Sequence, residues 1–220
     1  MDFRRLSDLT DADLDELYAI PSRPWLRVNF VSTVDGSATG PDGKSGGINN
    51  AADKRVFDTL RRICDAVVVG AGTARDEGYH AGEKPLVLVS RHGEVPVQLR
   101  DAPAGSVLMA TCATAEHLDE TRAVLGDEHV LVLGDDHVDL AELKHTLAER
   151  GLDSLLSEGG PQLFSALLAE GVVDELDLTL VPRLLAGDQT RITHGPPVDL
   201  PLRLVLLLED GGTLLGRWLV

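Results

Sequence analysis

Short, nearly unbroken apolar runs alternate with amphipathic helical patterns through the middle of the chain. Residues 66–69 and Leu86–Val89 carry almost no polar position, as expected of strands in a sheet covered on both faces. Residues 107–110, 130–133 and Ser154–Ser157 continue the series, and 27–34 reads as an earlier strand. Between and after them, Ala51–Ile63 puts Ala52, Val56, Leu60 and Ile63 on one helical face, and residues 114–125, 140–150 and 162–170 read as further helices. A β-then-α rhythm predicts an α/β fold with a mainly parallel central sheet flanked by helices. The end departs from it. Glu175–Val181, 202–208 and 213–220 are strands without a helix between them, and Asp210-Gly211-Gly212 predicts a C-terminal antiparallel hairpin. Residues 1–24 form a helical leader, opened by Thr10-Asp11-Ala12-Asp13 and stopped by Pro21-Ser22-Arg23-Pro24, ahead of one domain over 25–220.

Composition narrows the chemistry. The 220 residues contain 20 Lys plus Arg against 36 Asp plus Glu, a formal net charge of −16. So acidic a chain repels nucleic acid and anionic lipid, and a phosphate-bearing ligand needs a local basic patch, which makes each Arg and Lys informative. Cys64 and Cys112 have neither CxxC spacing nor a dense framework, so buried thiols in a reducing compartment are expected. The N-terminus lacks the apolar run of a signal peptide, and no stretch approaches the ~20 apolar residues of a membrane span. A cytoplasmic location follows as an expectation.

Ligands of open α/β sheets sit beyond the carboxyl ends of the strands. There the chain places Asp35-Gly36, Gly70-Ala71-Gly72-Thr73, Ser90-Arg91, Gly134-Asp135 and Glu158-Gly159-Gly160-Pro161. The Gly70 turn is not a Rossmann fingerprint, because Arg75 stands at the third glycine position; it still lets a phosphate approach backbone amides and the Thr73 hydroxyl. Ser90-Arg91 suits a ribose 2′-phosphate and so NADP over NAD, the alternative being a solvated loop charge. Gly159-Gly160-Pro161 leads into a helix whose first amides face an anion. Glu158 beside it serves either the substrate or the helix start. The polar loop 36–47 has the Gly43-Lys44-Ser45 of a P-loop but Ala38 in place of its first glycine; a glycine-rich flap is the better reading. Seven scattered histidines, no HExxH and no Gly-x-Ser-x-Gly leave metal and serine hydrolases without support, and no metal is expected.

Taken together, Asn29…Val34-Asp35-Gly36, Phe57…Leu60-Arg61…Asp65-Ala66-Val67-Val68-Val69-Gly70-Ala71-Gly72-Thr73, Ser157-Glu158-Gly159-Gly160-Pro161…Leu163 and Val173-Asp174-Glu175-Leu176 resemble the riboflavin-biosynthesis pyrimidine reductase family. That family is the C-terminal reductase domain of the bifunctional deaminase/reductase, and the likeness covers about residues 25–220. It implies a dihydrofolate-reductase-like fold and NADPH-dependent reduction of 5-amino-6-(5-phosphoribosylamino)uracil to its ribitylamino product. The deaminase motifs are absent, which implies a stand-alone reductase. The resemblance, with the strand-end reading above, assigns Ala38, Thr39, Gly70, Gly72, Thr73, Ser90, Arg91, Gly159, Gly160, Pro161 and Gln162 to the cofactor. Asn29, Asp35, Lys44, Ser45, Asp53, Phe57 and Glu158 fall to the substrate, with Asp35, Asp53 and Glu158 as catalytic candidates.

One segment departs from the family. In place of its usual Ser-x-Trp-Ile-Thr stands Ser45-Gly46-Gly47-Ile48-Asn49, followed by Asp53 in the first turn of a helix. Asp53-x-x-x-Phe57 resembles dihydrofolate reductase, where a buried carboxylate grips the pterin amidine and Phe stacks on the ring. A pterin reductase, and a silent nucleotide-binding protein of the same fold, are the alternative readings. Asp53 also fits a purely electrostatic role at the helix N-terminus, worth ~0.3–1 kcal/mol. The apolar strands 202–208 and 214–220 would leave a sticky sheet on a monomer, and similar proteins are homodimers, so a homodimer is expected.

Overall fold

A computed structural model describes residues 2–220. Its strands are β1 (Asp2–Arg5), β2 (Trp25–Thr33), β3 (Ala66–Gly70), β4 (Leu86–Val89), β5 (Val107–Thr111), β6 (Val130–Val132), β7 (Ser154–Ser157), β8 (Glu175–Val181), β9 (Arg203–Asp210) and β10 (Thr213–Leu219). The helices are α1 (Asp11–Leu17), α2 (Ala51–Ile63), α3 (Ala71–Glu77), α4 (Leu118–Leu125), α5 (Leu140–Glu149) and α6 (Pro161–Ala169). All strands join one sheet in the order β1-β9-β10-β8-β2-β7-β3-β4-β5-β6. Every pairing is parallel except those that β10 makes with β8 and β9. The expected α/β class, mainly parallel with a terminal antiparallel hairpin, is what the structure shows.

Two apolar layers hold the sheet. Val56 and Leu60 of α2 and Leu14 of α1 pack with Val67, Val69, Leu88 and Leu156 on one face. Leu143 and Leu147 of α5 and Phe164 and Leu167 of α6 pack with Val68, Val87, Leu108 and Leu155 on the other. Apolar side chains thus leave both sides of the central strands, which is why their sequences do not alternate.

Three elements differ from the pattern. β1 was not expected, because Phe3, Arg4 and Arg5 are exposed and its place comes only from parallel pairing with β9. α3 follows β3 with no intervening loop, so Gly70 is the residue before its first turn and Gly72 lies inside it. α4 starts at Leu118 rather than 114, since Thr114 bonds the Asp135 carbonyl and His117 N–H bonds the His92 carbonyl, which pins those residues to neighbouring loops. α1 begins as expected, with a reciprocal capping box between Thr10 and Asp13.

Beneath α1 lies a buried charge cluster. Arg27 is adjacent in register to Glu175, and Arg217 to Asp177. Arg217 Nη2 and Trp25 Nε1 donate to Glu175 Oε2 at 2.8 and 3.0 Å, and Arg27 Nη2 donates to the Tyr18 carbonyl. Both Asp177 oxygens are buried without a donor. Burial pushes the Asp177 carboxyl well above the usual range, the Glu175 carboxylate adds to the rise, and Arg27 and Arg217 oppose it. The unfolded chain releases this proton near pH ~4 while the folded chain keeps it, so Asp177 lowers stability once the pH passes that point. Asp177→Asn is expected to change stability little below pH ~4 and to raise it near neutral pH by roughly 1–3 kcal/mol. Urea unfolding on both sides of that pH is the check; an asparagine variant less stable at neutral pH contradicts the assignment.

Candidate active site

Helix α2 builds one wall of the site. Asp53, Phe57 and Arg61 recur every fourth residue, so they share a stripe distinct from the one that packs Val56 and Leu60 into the core. That stripe faces the carboxyl ends of β2 and β7, and between them opens a cleft of about 740 Å³. Asn29 and Val31 come from β2, Glu158 follows β7, Thr73 comes from α3, and Gly160 and Pro161 open α6. Tyr79, His80, Ala38, Thr39, Ser45 and Thr190 are also among its lining residues.

The two buried carboxylates of the cleft, Glu158 and Asp53, are in opposite states. Glu158 is satisfied by the protein: Arg61 Nε and Nη2 donate to its two oxygens, both at 2.7 Å, and the Tyr79 hydroxyl donates to Oε2 at 2.6 Å. The Arg61 guanidinium lies 4.5 Å from the Phe57 ring centroid and 5.6 Å from that of Tyr79. The Glu158 side chain is 3% exposed and that of Arg61 43%, so the pair presents its cation to the cleft. Glu158 raises the Arg61 pKa, and burial together with Glu158 raises that of the Tyr79 hydroxyl. Asp53, also buried, has no cation partner among the described residues, and burial raises its carboxyl against the Thr179 hydroxyl.

The glycine turns meet beneath the cleft. Gly70 N–H donates to the Gly159 carbonyl at 2.8 Å, and a Cβ on Gly160 would overlap the Thr73 hydroxyl. No side chain caps α3 or α6, so first-turn amides stay free next to each other. Ser90 accepts from Gly93 N–H, and Arg91 is exposed with no carboxylate partner among the described residues. Free amides, the Thr73 hydroxyl and an uncommitted guanidinium along one sheet edge fit a phosphorylated dinucleotide.

Of the residues named from sequence, the cleft gathers Asn29, Ala38, Thr39, Ser45, Asp53, Phe57, Thr73, Glu158, Gly160 and Pro161. Gly70 and Gly159 support it from below. Gly72, Ser90, Arg91 and Gln162 lie outside its lining, as does exposed Lys44. Asp35 is elsewhere: its carboxylate accepts from Thr33 and from the Leu185 and Ala186 amides, which lowers its pKa and fixes the segment after β8. The loop 36–47 is tied down at Ser45 N–H to Glu77, Ala38 N–H to the Thr190 carbonyl, and Arg183 to the Gly47 carbonyl. Arg61, Tyr79 and His80 were missed. Continuing the Asp53–Phe57 spacing by four more residues would have reached Arg61.

A mainly parallel sheet with anion-ready helix starts and a paired cation at its carboxyl edge defines a small-molecule site of the α/β class. The RibD C-terminal domain family matches residues 24–215, and the chain belongs to that family. The 2,5-diamino-6-ribosylamino-4(3H)-pyrimidinone 5′-phosphate reductase of Archaeoglobus fulgidus is 29% identical over 190 residues, covering 75% of this chain and 83% of that protein. Riboflavin biosynthesis protein RibD of Chlamydia trachomatis is 33% identical over 199 residues, 83% of this chain but 51% of RibD. The crystal structure of a pyrimidine reductase-like protein from Corynebacterium diphtheriae shares the fold at a TM-score of 0.77 and 25% identity, covering 98% of this chain and 96% of that one.

Proposed function

We propose that this protein reduces the ribosylamino side chain of a 6-ribosylaminopyrimidine 5′-phosphate in riboflavin biosynthesis, with NADPH as reductant. The observation that carries this is the Arg61–Glu158 fork, a fixed cation on one wall of a cleft in an otherwise acidic protein. Nicotinamide held along the Gly70 and Gly159–Gly160 turns would supply a hydride to C1′ of the opened, imine form of the sugar, with one proton from water for the amine, so that NADPH and H⁺ would be consumed for each C1′–H and N–H formed. The chain's own residues orient and shield. Arg61 takes the 5′-phosphate, Phe57 and Asn29 flank the ring, and Glu158 keeps the guanidinium from turning. Ala38, Thr39 and Thr190 line the same cleft and help to shut out water. Absorbance at the reduced-cofactor band, with the diaminopyrimidinone or the aminouracil substrate, tests this directly; turnover of either supports it, and inertness toward both contradicts it.

Arg91 supports NADPH over NADH, because a free guanidinium beside Ser90 suits a 2′-phosphate. Arg91→Ala is expected to raise the KM for NADPH at least tenfold (about 1.4 kcal/mol) and leave that for NADH within about twofold. Equal effects on both cofactors would place Arg91 outside the 2′-phosphate site. The buried carboxylate of Asp53 next to Phe57 favours a second reading, reduction of a dihydropterin, tested by turnover of dihydrofolate.

We also propose a homodimer. On the face of the terminal strands that the helices leave bare, Leu178, Leu180, Leu207, Leu214 and Trp218 form a partly exposed apolar surface, of the kind two copies bury. No helix among the described residues is long and apolar enough to cross a membrane, and both cysteines are free and buried, which supports a cytoplasmic enzyme.

A further inference from the structure

The Arg61–Glu158 fork has a third member, Tyr79, which comes from outside α2. Helix α3 ends at Gly78, whose φ of +75° lets its N–H reach back to the Ala74 and Arg75 carbonyls. Tyr79 N–H then donates to the Ala74 carbonyl at 2.8 Å, and this turn lays the Tyr79 side chain beside Arg61. Ring and hydroxyl hold different partners. The ring centroid lies 5.6 Å from the Arg61 guanidinium, while the hydroxyl donates to Glu158 Oε2 at 2.6 Å. Arg61, Tyr79, His80 and Gly82 line the cleft and also a second cavity of about 520 Å³, so they stand between the two. Two carboxylates line only that second cavity. Asp58 is engaged by Lys54 Nζ at 2.9 and 2.7 Å, whereas exposed Glu83 has no cation partner among the described residues.

We propose that Tyr79 is a positioning residue: its ring and hydroxyl hold the Arg61 guanidinium toward the cleft and out of the second cavity, where Glu83 competes for it. This rests on the reading of Arg61 as the ligand of the substrate phosphate, and deepens it. A long side chain that is 43% exposed has many orientations to lose, and a carboxylate on either side offers it two of them. Glu158 alone favours the cleft through a planar fork. The Tyr79 hydroxyl fixes the carboxylate that makes the fork, and the Tyr79 ring, with Phe57 at 4.5 Å, stacks the cation in place. Removing the ring both loosens the guanidinium and opens the partition toward Glu83. Removing the hydroxyl alone leaves the ring and takes one of three donors from Glu158.

The experiment measures KM and kcat of the full chain for the ribosylaminopyrimidine phosphate at saturating NADPH. Arg61 grips a group that does not react, so its displacement weakens binding rather than the chemical step. Tyr79→Leu is expected to raise the substrate KM about ten- to thirtyfold, with kcat within about threefold and the KM for NADPH within about twofold of wild type. Tyr79→Phe keeps the ring and is expected to stay within about fivefold of the wild-type KM. Glu83→Gln added to Tyr79→Leu is expected to lower the raised KM by about threefold or more. With the dephosphorylated substrate, the Tyr79 variants should match wild type within about twofold. The Arg61 Nε–H resonance follows the guanidinium without any substrate. It is expected to exchange slowly with water in the wild type and in Tyr79→Phe, and to be lost to exchange in Tyr79→Leu. A slowly exchanging Arg61 resonance in Tyr79→Leu overturns the proposal, as does an equal rise in KM for the dephosphorylated substrate. A Tyr79→Phe protein as impaired as Tyr79→Leu denies the ring its part, and an unmoved KM after Glu83→Gln denies the competition. A wild type that reduces neither substrate overturns the reductase reading instead, and the resonance then decides the role of Tyr79 by itself.

Discussion

Gly159→Ala is expected to unfold much of this protein's margin of stability, although the change adds a single methyl group. Gly159 holds a φ of +86°, a region that L side chains enter at a cost of ~1–2 kcal/mol. Its Cβ would stand 2.5 Å from Phe30 Cζ and 3.0 Å from Cε1. Phe30 cannot simply swing aside, because it stacks on Phe164 of α6 with ring centroids 5.3 Å apart. Overpacking of this kind costs about 1–3 kcal/mol. A total of ~2–5 kcal/mol is a large part of the 5–15 kcal/mol that holds a domain together, and corresponds to a Tm lower by roughly 5–15 °C. Gly72→Ala is the contrast. A Cβ there meets only the end of the Arg75 side chain at 3.9 Å, and the position is helical, so Tm should hold or rise slightly. Calorimetry of the two variants is the check. A Gly159→Ala protein that melts with the wild type would show that the Phe30 contact yields freely.

Arg61→Ala is expected to have the largest effect on turnover, lowering kcat/KM by about 10²–10³ (roughly 2.7–4 kcal/mol). The loss has two parts. The substrate phosphate loses its fork, and Glu158 is left buried with only the Tyr79 hydroxyl. Arg61→Lys separates them, since it keeps the charge but cannot bond both Glu158 oxygens in one plane. A substrate lacking the phosphate completes the comparison. Against it, wild type and Arg61→Ala should differ by less than about tenfold, because the group that Arg61 recognises is gone. An undiminished loss with the dephosphorylated substrate would move the phosphate elsewhere in the cleft.

Much of this was legible from residues alone, for identifiable reasons. The central strands could be read because both their faces are buried, which removes polar positions from the run. α6 could be read because Pro161 and the paired glycines mark its start. Asp53 and Phe57 could be read as a pair because four-residue spacing is a helical face. What escaped depends on contacts distant in sequence. β1 has no pattern of its own and exists through β9. Asp35 looked catalytic at the end of β2, but its partners are the amides of Leu185 and Ala186, 150 and 151 residues away. Arg61 stood in the run that carries the family resemblance but had no role of its own, until the fold brought Glu158 across from the end of β7.

In the proposed reaction hydride reaches C1′ of the substrate's sugar, in the cleft lined by Asp53 and Arg61. The most direct measurement uses NADPH deuterated at the transferable position with a 6-ribosylaminopyrimidine 5′-phosphate, and reads the product by NMR and mass spectrometry. One deuterium at C1′ of a ribityl chain, with one NADPH oxidised per product, is the predicted result. Substrate recovered unlabelled and unreduced from saturating NADPH would contradict it.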